Sequence, residues 1–363
     1  MKGKAACLVA DKKIEIMDLD IPEVEKGAVL VKVRLSNVCG SDVKMWAGTG
    51  VHSGKTVMIG HEYVGEICEL GEGVECDYAG NPVKVGDRVV SPYQINCMKC
   101  SACLEGHIDQ CKDCYKYNHL HPSKWPYFTG SHGTHYYIHP NQFFYKVPDD
   151  VDDRLVAGAN CALSQVYCGL DIIDVKLGET VLIQGAGGLG LYASAIAKER
   201  GATVIIVDVL ADRLELAKRF GADYTININE FPTAEDRINE TLRLTGGKGV
   251  DAAVEVAGAS DTFEEALRHL KLKGRYLVMG INNVAIKTTM SPGYIVRKAI
   301  TIVGQVRYHP KYLYQALLFL QKYKDKYPFG ELSDREYSLD ELQEVLRLAY
   351  EKKIARAVIN PRI

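Results

Sequence analysis

Four cysteines in the first third of the chain, Cys97, Cys100, Cys103 and Cys111, stand at C-x2-C-x2-C-x7-C, a spacing suited to gripping one ion. Zinc has no ligand-field preference and accepts four thiolates as a tetrahedron, and a tetrahedron closed by protein leaves no position for a substrate. The cluster reads as a structural zinc site. Three cysteines three apart cannot share one helix face, so the segment is expected to be a loop wrapped around the metal. Spacing alone leaves Cys114 and His107 as competitors for the fourth place. Eleven cysteines behind an N-terminal apolar run as short as AACLVA, too brief for a secretion signal, fit metal ligation or buried thiols better than disulfides. A cytoplasmic address is the expectation.

A second constellation is Gly185-Ala-Gly187-Gly188-Leu189-Gly190, a G-x-G-x-x-G run. By itself that signal is weak, but it follows the apolar strand Val181 to Gln184, opens a helix, and precedes a strand ending at Asp208 at the distance a dinucleotide site requires. The glycines let the backbone approach a pyrophosphate, whose charge rests at the helix N-terminus. Asp208 would accept hydrogen bonds from the adenosine ribose and repel a 2′-phosphate, and Val209 and Leu210 add no positive charge. NAD is favoured over NADP, with Arg213 the one nearby cation able to approach the ribose.

A catalytic zinc needs about three protein ligands and one open position, and its ligands can be far apart in sequence. Three segments are able to supply them: Val38-Cys39-Gly40-Ser41-Asp42, Gly60-His61-Glu62, and Asn160-Cys161-Ala162-Leu163-Ser164. Singly each is as well explained by packing.

The elements that must position these residues fall into three stretches. Residues 1 to about 150 alternate short apolar runs (VLVKVRL, YVGEICEL, DRVVSPY) with glycine, proline and charged turns, the pattern of a mostly β domain. From Thr180 to Val306 continuous apolar strands alternate with amphipathic helices, which predicts a parallel sheet covered on both faces. The last sixty residues return to helices and end on the strand-like ARAVINP, which has no partner in the doubly wound region and is expected to rejoin the first domain. The 363 residues, 47% hydrophobic and 25% charged, call for two domains, and no apolar run is long enough for a bilayer. A formal charge of −2 shows no basic excess for nucleic acid.

Taken together and in order, the CGSD, GHE and four-cysteine segments, the Asn160–Ser164 segment, the GAGGLG loop and the closing PFGELSDREYSLDELQEVLRLA stretch span essentially the whole chain. In this the chain resembles the zinc-containing medium-chain alcohol dehydrogenases. The resemblance implies an α/β protein: a discontinuous, mostly-β, GroES-like catalytic domain over 1–160 and 307–363, with its zinc lobe at about 94–115, and a doubly wound Rossmann NAD-binding domain over 161–306. It implies two Zn2+ per chain, hydride transfer between a small-molecule alcohol or carbonyl and NAD, and a homodimer or homotetramer, with no nucleic-acid or membrane partner.

Residue by residue, the resemblance makes Cys39, His61 and Cys161 the catalytic ligands. Cys111 becomes the fourth structural ligand, and Cys114 a surface or subsidiary thiol. Glu62 stands behind the ligands or enters transiently, Asp42 fixes the His61 tautomer, and Ser41 accepts the alcohol proton. Three residues after that hydroxyl many relatives carry a histidine as outlet; here it is Lys44. Polyol-oxidising relatives usually read Glu-Pro at the third ligand, where this chain reads Cys161-Ala162, so the expectation leans away from a sorbitol-type site. Trp46 and Tyr93 correspond to pocket-wall positions. The 112–135 segment, with Lys116, His119, His121 and Lys124, is a candidate substrate entrance for anionic or polyhydroxylated substrates. Polyol or hydroxy-acid dehydrogenases, zinc-free double-bond reductases and a non-enzymatic NAD or zinc sensor on the same scaffold are the competing readings.

Overall fold

In the computed structural model, which describes residues 1–49, 55–118, 120–333, 335–354 and 356–363, the N-terminal stretch forms eight strands. β1 (Lys2–Ala10) and β2 (Lys13–Asp20) make an antiparallel hairpin, and β4 (Val57–Met58) adds to the other edge of β1. β3 (Val29–Asn37) pairs antiparallel with β5 (Glu62–Leu70), which pairs with β6 (Arg88–Val90); β7 (His135–Ile138) adds to β3, and β8 (Tyr145–Lys146) to β6. Val29, Val31 and Val33 of β3 pack with Tyr63, Ile67, Val89 and Tyr136 into one apolar core. Burying each such side chain contributes roughly 1.5–3 kcal/mol. The register of β3 on β5 matters for chemistry. It ends on the pair Asn37 and Glu62, so Cys39 and His61 emerge side by side just beyond the paired ends.

The middle of the chain forms β9 (Thr180–Gln184), β10 (Thr203–Asp208), β11 (Tyr224–Asn227), β12 (Val250–Glu255), β13 (Leu270–Val278) and β14 (Thr301–Gly304). All are parallel, in the order β11-β10-β9-β12-β13-β14. The strand order reverses between β9 and β12, and ligands of open α/β sheets bind at that switch point, outside the carboxyl ends of the strands. β13 starts earlier than the expected RYLVMG, because its pairing with β12 shifts register between Val250 and Ala252, where Lys273 adopts a positive φ of 59°.

The tail returns to the first sheet. β15 (Glu336–Ser338) pairs with β16 (Val358–Asn360), and β16 lies antiparallel to β3, Ile359 opposite Ser36, as the strand-like ARAVINP suggested. The helix Leu342–Tyr350 packs against the helix Gly40–Trp46, with Leu342, Val345, Leu346 and Trp46 in one core.

The chain divides into two units, one of Met1–Ser164, His309–Lys324 and Phe329–Ile363, the other of Gln165–Tyr308 and Asp325–Pro328. The first division falls four residues after the 160/161 boundary read from sequence. A π-helical turn, Ala159–Leu163, is closed by Ser164, whose hydroxyl donates to the Ala159 carbonyl at 2.6 Å, so the whole turn stays with the first unit. No helix among the described residues is long and apolar enough to cross a membrane.

Candidate active site

Three local structures converge in the first unit. Cys39 precedes the first turn of the helix Gly40–Trp46, and its N–H donates to Asp42 Oδ2 at 2.8 Å. His61 and Glu62 enter β5, and Cys161 lies in the π-helical turn, a wide turn that recurs at functional sites. Asn160 staples that turn to the second segment, its Nδ2 donating to the His61 and Ser91 carbonyls, both at 2.8 Å. One ligand atom from each of Cys39, His61, Glu62 and Cys161 lies within 4.8 Å of the others.

The donor set fits zinc. Zn–S bonds of about 2.3 Å put tetrahedral sulfurs roughly 3.8 Å apart, and the Cys39 and Cys161 sulfurs are 4.0 Å apart. His61 Nδ1 is 3.2 Å from Asp42 Oδ1, which leaves Nε2 for a metal. Glu62 is fully buried; Arg356 bonds one carboxylate oxygen, while Oε1 has no hydrogen-bond partner and lies 4.0 Å from His61 Nε2.

Electrostatics describe the same cluster. Hydrogen bonding from Cys161 holds the Cys39 thiol well below its ordinary range and pushes Cys161 above it. Burial opposes ionisation of Asp42, yet the charge of His61, the neighbouring His132 imidazole and the hydrogen bond with His61 keep its carboxyl below the usual carboxylate range. Burial raises Glu62 to about 8 in spite of Arg356.

The second group, Cys97, Cys100, Cys103 and Cys111, also has its sulfurs within 4.8 Å of one another. The Cys97 N–H donates to Cys111 Sγ at 3.3 Å, and Cys100 and Cys103 sulfurs are 3.5 Å apart. The backbone N–H of Cys103 holds Cys100 down at about 6, whereas burial and then Cys100 push Cys103 up to about 12. Thiolates this close ionise together only around a cation. The segment is a loop carrying the short helix Ser101–Leu104, and His107 is exposed outside the group. Cys114, expected as a surface or subsidiary thiol, is buried against the lobe, because it packs with Ile108 and Phe143.

In the second unit β9 runs into Gly185, whose φ is +107°, and the helix Gly188–Glu199 begins after Gly187. A Cβ at Gly190 would lie 1.8 Å from the Gly185 carbonyl oxygen; one at Gly187 would meet nothing within 4 Å. The first glycine turns the chain, the last lets helix and strand touch, and the middle one leaves open space beside the helix N-terminus. Gly188 and Leu189 are partly exposed on that first turn. Asp208, at the end of β10, accepts from the Ala186 N–H at 2.7 Å and the Leu210 N–H at 2.9 Å, so it also ties the glycine loop to β10. Arg213 is partly exposed on the helix that follows.

Of the two pocket-wall candidates, the structure brings one to the site. Tyr93 stands edge-on to the His61 ring, centroids 5.5 Å apart, and stacks on Tyr115 at 6.3 Å. Trp46 does not reach the site: it is 3% exposed in the core at the far end of its helix, edge-on to Tyr350, with its indole N–H on Gln343. Its bulk is used to dock the helix whose other end carries Cys39. Ser41 and Lys44 are exposed. Lys116, His121 and Lys124 are exposed, Lys116 over the Tyr117 ring, and His119 lies outside the described residues. Sequence reasoning missed Asn160 as a staple and missed Arg356 and His132, which meet Glu62 and face Asp42 from segments far away in sequence.

Comparison with known proteins agrees with this geometry. Residues 25–149 match the model of the alcohol dehydrogenase GroES-like domain and residues 188–322 that of the zinc-binding dehydrogenases. The chain is 32% identical to 5-exo-hydroxycamphor dehydrogenase of Pseudomonas putida over 360 residues, 99% of this chain and 98% of that protein. It is 31% identical to an alcohol dehydrogenase of Geobacillus stearothermophilus over 363 residues, 99% and 98% of the two chains. Among solved structures, an alcohol dehydrogenase from Thermotoga maritima superposes with a TM-score of 0.93 at 26% identity, over 99% of each chain. The chain belongs to the zinc-type alcohol dehydrogenases of the medium-chain dehydrogenase/reductase family. It is an oxidoreductase of the alcohol- and polyol-oxidising kind, with a Rossmann-type NAD-binding domain, and the sensor reading is not favoured.

Proposed function

We propose that the enzyme oxidises an alcohol to its carbonyl with NAD, at a zinc held by Cys39, His61 and Cys161, while Cys97, Cys100, Cys103 and Cys111 hold a second, structural zinc. The observation that carries the reading is the gathering of Cys39, His61, Cys161 and Glu62 donors within 4.8 Å, with Asp42 on the far nitrogen of His61. A zinc held by that set would supply Lewis acidity that eases deprotonation of an alcohol, and a bound NAD would supply the hydride acceptor.

The residues divide the remaining tasks. The two thiolates offset the metal's charge, and Asp42 fixes the His61 tautomer. Glu62, anchored by Arg356 through one oxygen, leaves the other without a hydrogen bond and would be the reserve donor for the metal. The exposed Ser41 hydroxyl takes the alcohol proton and hands it outward, with Lys44 beside that path. Tyr93 and Tyr115 supply an aromatic wall beside His61, which suits an alcohol with an apolar body. Gly185, Gly187, Gly188, Leu189 and Gly190 cradle the pyrophosphate, and Asp208 selects the unphosphorylated ribose with Arg213 at its edge. A cytoplasmic address is supported by cysteines gathered into metal-ligand sets, and a homodimer or homotetramer by the family.

The test is dinucleotide reduction by the purified protein with primary alcohols, apolar secondary alcohols, polyols and hydroxy acids. NADH formation is expected to be fastest with apolar alcohols, at least about 10-fold above polyols, and faster with NAD than with NADP. Failure of every alcohol to reduce NAD, or reduction that survives stripping of the zinc, would reject the reading.

A further inference from the structure

Beside the ligand set lies a second imidazole that the reaction described above does not use. His132 is fully buried. Its segment is knit to the Ile59–Glu62 stretch that carries His61: the His132 N–H donates to the Ile59 carbonyl at 3.1 Å, the Ser131 N–H to that of Gly60 at 3.1 Å, and the Ser131 hydroxyl to that of Glu62 at 3.0 Å. Gly60, at φ +95°, makes room for the ring, since a Cβ there would come within 2.7 Å of its Cγ and Cδ2. The imidazole is thus seated against the residue immediately before His61.

Its two nitrogens face different groups. Nδ1 is 2.9 Å from the buried Ser36 hydroxyl, and Nε2 is 3.7 Å from Asp42 Oδ2, with no hydrogen-bond partner among the described residues. Asp42 Oδ1 meets His61 Nδ1 at 3.2 Å, so the carboxylate stands between two imidazoles. A bare lone pair on Nε2 facing a carboxylate in a dry interior would be both unsatisfied and repelled, whereas an N–H there is attracted. Ser36 donates or accepts with equal ease, so it accommodates the ring form with hydrogen on Nε2.

We propose that His132 is a positioning residue for the catalytic metal, its Nε2–H steadying Asp42 so that the carboxylate's other oxygen holds His61 in its ligating tautomer and orientation. The inference rests on the reading of Cys39, His61 and Cys161 as zinc ligands. Outer partners of ligating histidines tune metal affinity by about 10–100-fold, and Asp42 with a second donor is one such partner.

Two substitutions separate positioning from packing. His132→Asn keeps an amide near Ser36 but has no donor that reaches Asp42; His132→Gln carries an amide nitrogen as far as Nε2. Zinc retained per chain is measured during titration with dipicolinate, together with the visible spectrum of the protein substituted with cobalt. The parent is expected to hold two metals, and His132→Asn to lose one of them at about 10–100-fold lower chelator concentration with a shifted cobalt band. His132→Gln is expected to stay within about 3-fold of the parent, and all three proteins to keep the four-cysteine metal. Parental affinity and spectrum in His132→Asn would overturn the inference, and so would equal loss in both variants. A parent holding one metal would instead overturn the underlying ligand assignment, and the inference with it.

Discussion

Cys161→Ala is expected to lower turnover at saturating alcohol by well over 100-fold and to remove one zinc per chain while leaving the other in place. Replacing only an outer partner of a metal ligand costs about 10–100-fold, so deletion of a ligand costs more. Cys161 is 8% exposed, and its sulfur lies 4.0 Å from that of Cys39. Alanine takes away a thiolate that offsets the metal's charge and leaves Cys39 and His61 with Glu62, whose free oxygen is the nearest substitute donor. Zinc that remains through Glu62 would carry a harder, weaker donor, so partial zinc with little turnover is consistent. Full turnover is not. Steady-state kinetics and metal content on one preparation check both parts, and the Cys97 lobe is the internal control.

Gly190→Ala is expected to have the largest effect on the nucleotide side. The added methyl would lie 1.8 Å from the Gly185 oxygen and 2.9 Å from its carbonyl carbon, both backbone atoms of the glycine loop. Overpacking typically costs 1–3 kcal/mol, and a contact this short against backbone should reach or exceed about 3 kcal/mol, seen as a lower melting temperature. Gly187→Ala is the informative companion, because its Cβ would meet nothing within 4 Å. It is expected to melt like the parent yet bind NADH at least about 10-fold more weakly, since the methyl occupies the approach of the pyrophosphate. Fluorescence titration with NADH, beside thermal melting, distinguishes the two losses. Parental NADH affinity in Gly187→Ala would remove that loop from the cofactor site.

Much of this protein is legible in its sequence where the signal is local. The β9–loop–helix unit and the four-cysteine lobe are each read within a stretch of one or two elements, and the six-stranded parallel sheet follows from alternating strands and helices. The ligand segments could be named only by their ordered resemblance to a family, because Cys39, His61 and Cys161 are joined by sheet register and by the turn at Ala159–Leu163, not by spacing.

What was not legible shares a cause. Trp46 sits in a seven-residue helix with one end at the site and the other docked on Leu342–Tyr350, and nothing near position 46 tells which end the indole serves. Burial of Cys114 depends on Ile108 and Phe143 closing over it. Arg356 meets Glu62 only because β16 returns to lie beside β3. Contacts made across such separations carry no local pattern.

The central claim is that one zinc sits among Cys39, His61 and Cys161, and anomalous scattering from crystals of the protein, recorded on both sides of the zinc absorption edge, tests it most directly. The account predicts two peaks per chain: one inside the Cys97, Cys100, Cys103 and Cys111 sulfurs, and one bonded to Cys39, His61 and Cys161. A single peak confined to the four-cysteine lobe, in protein that still oxidises alcohol, would contradict it.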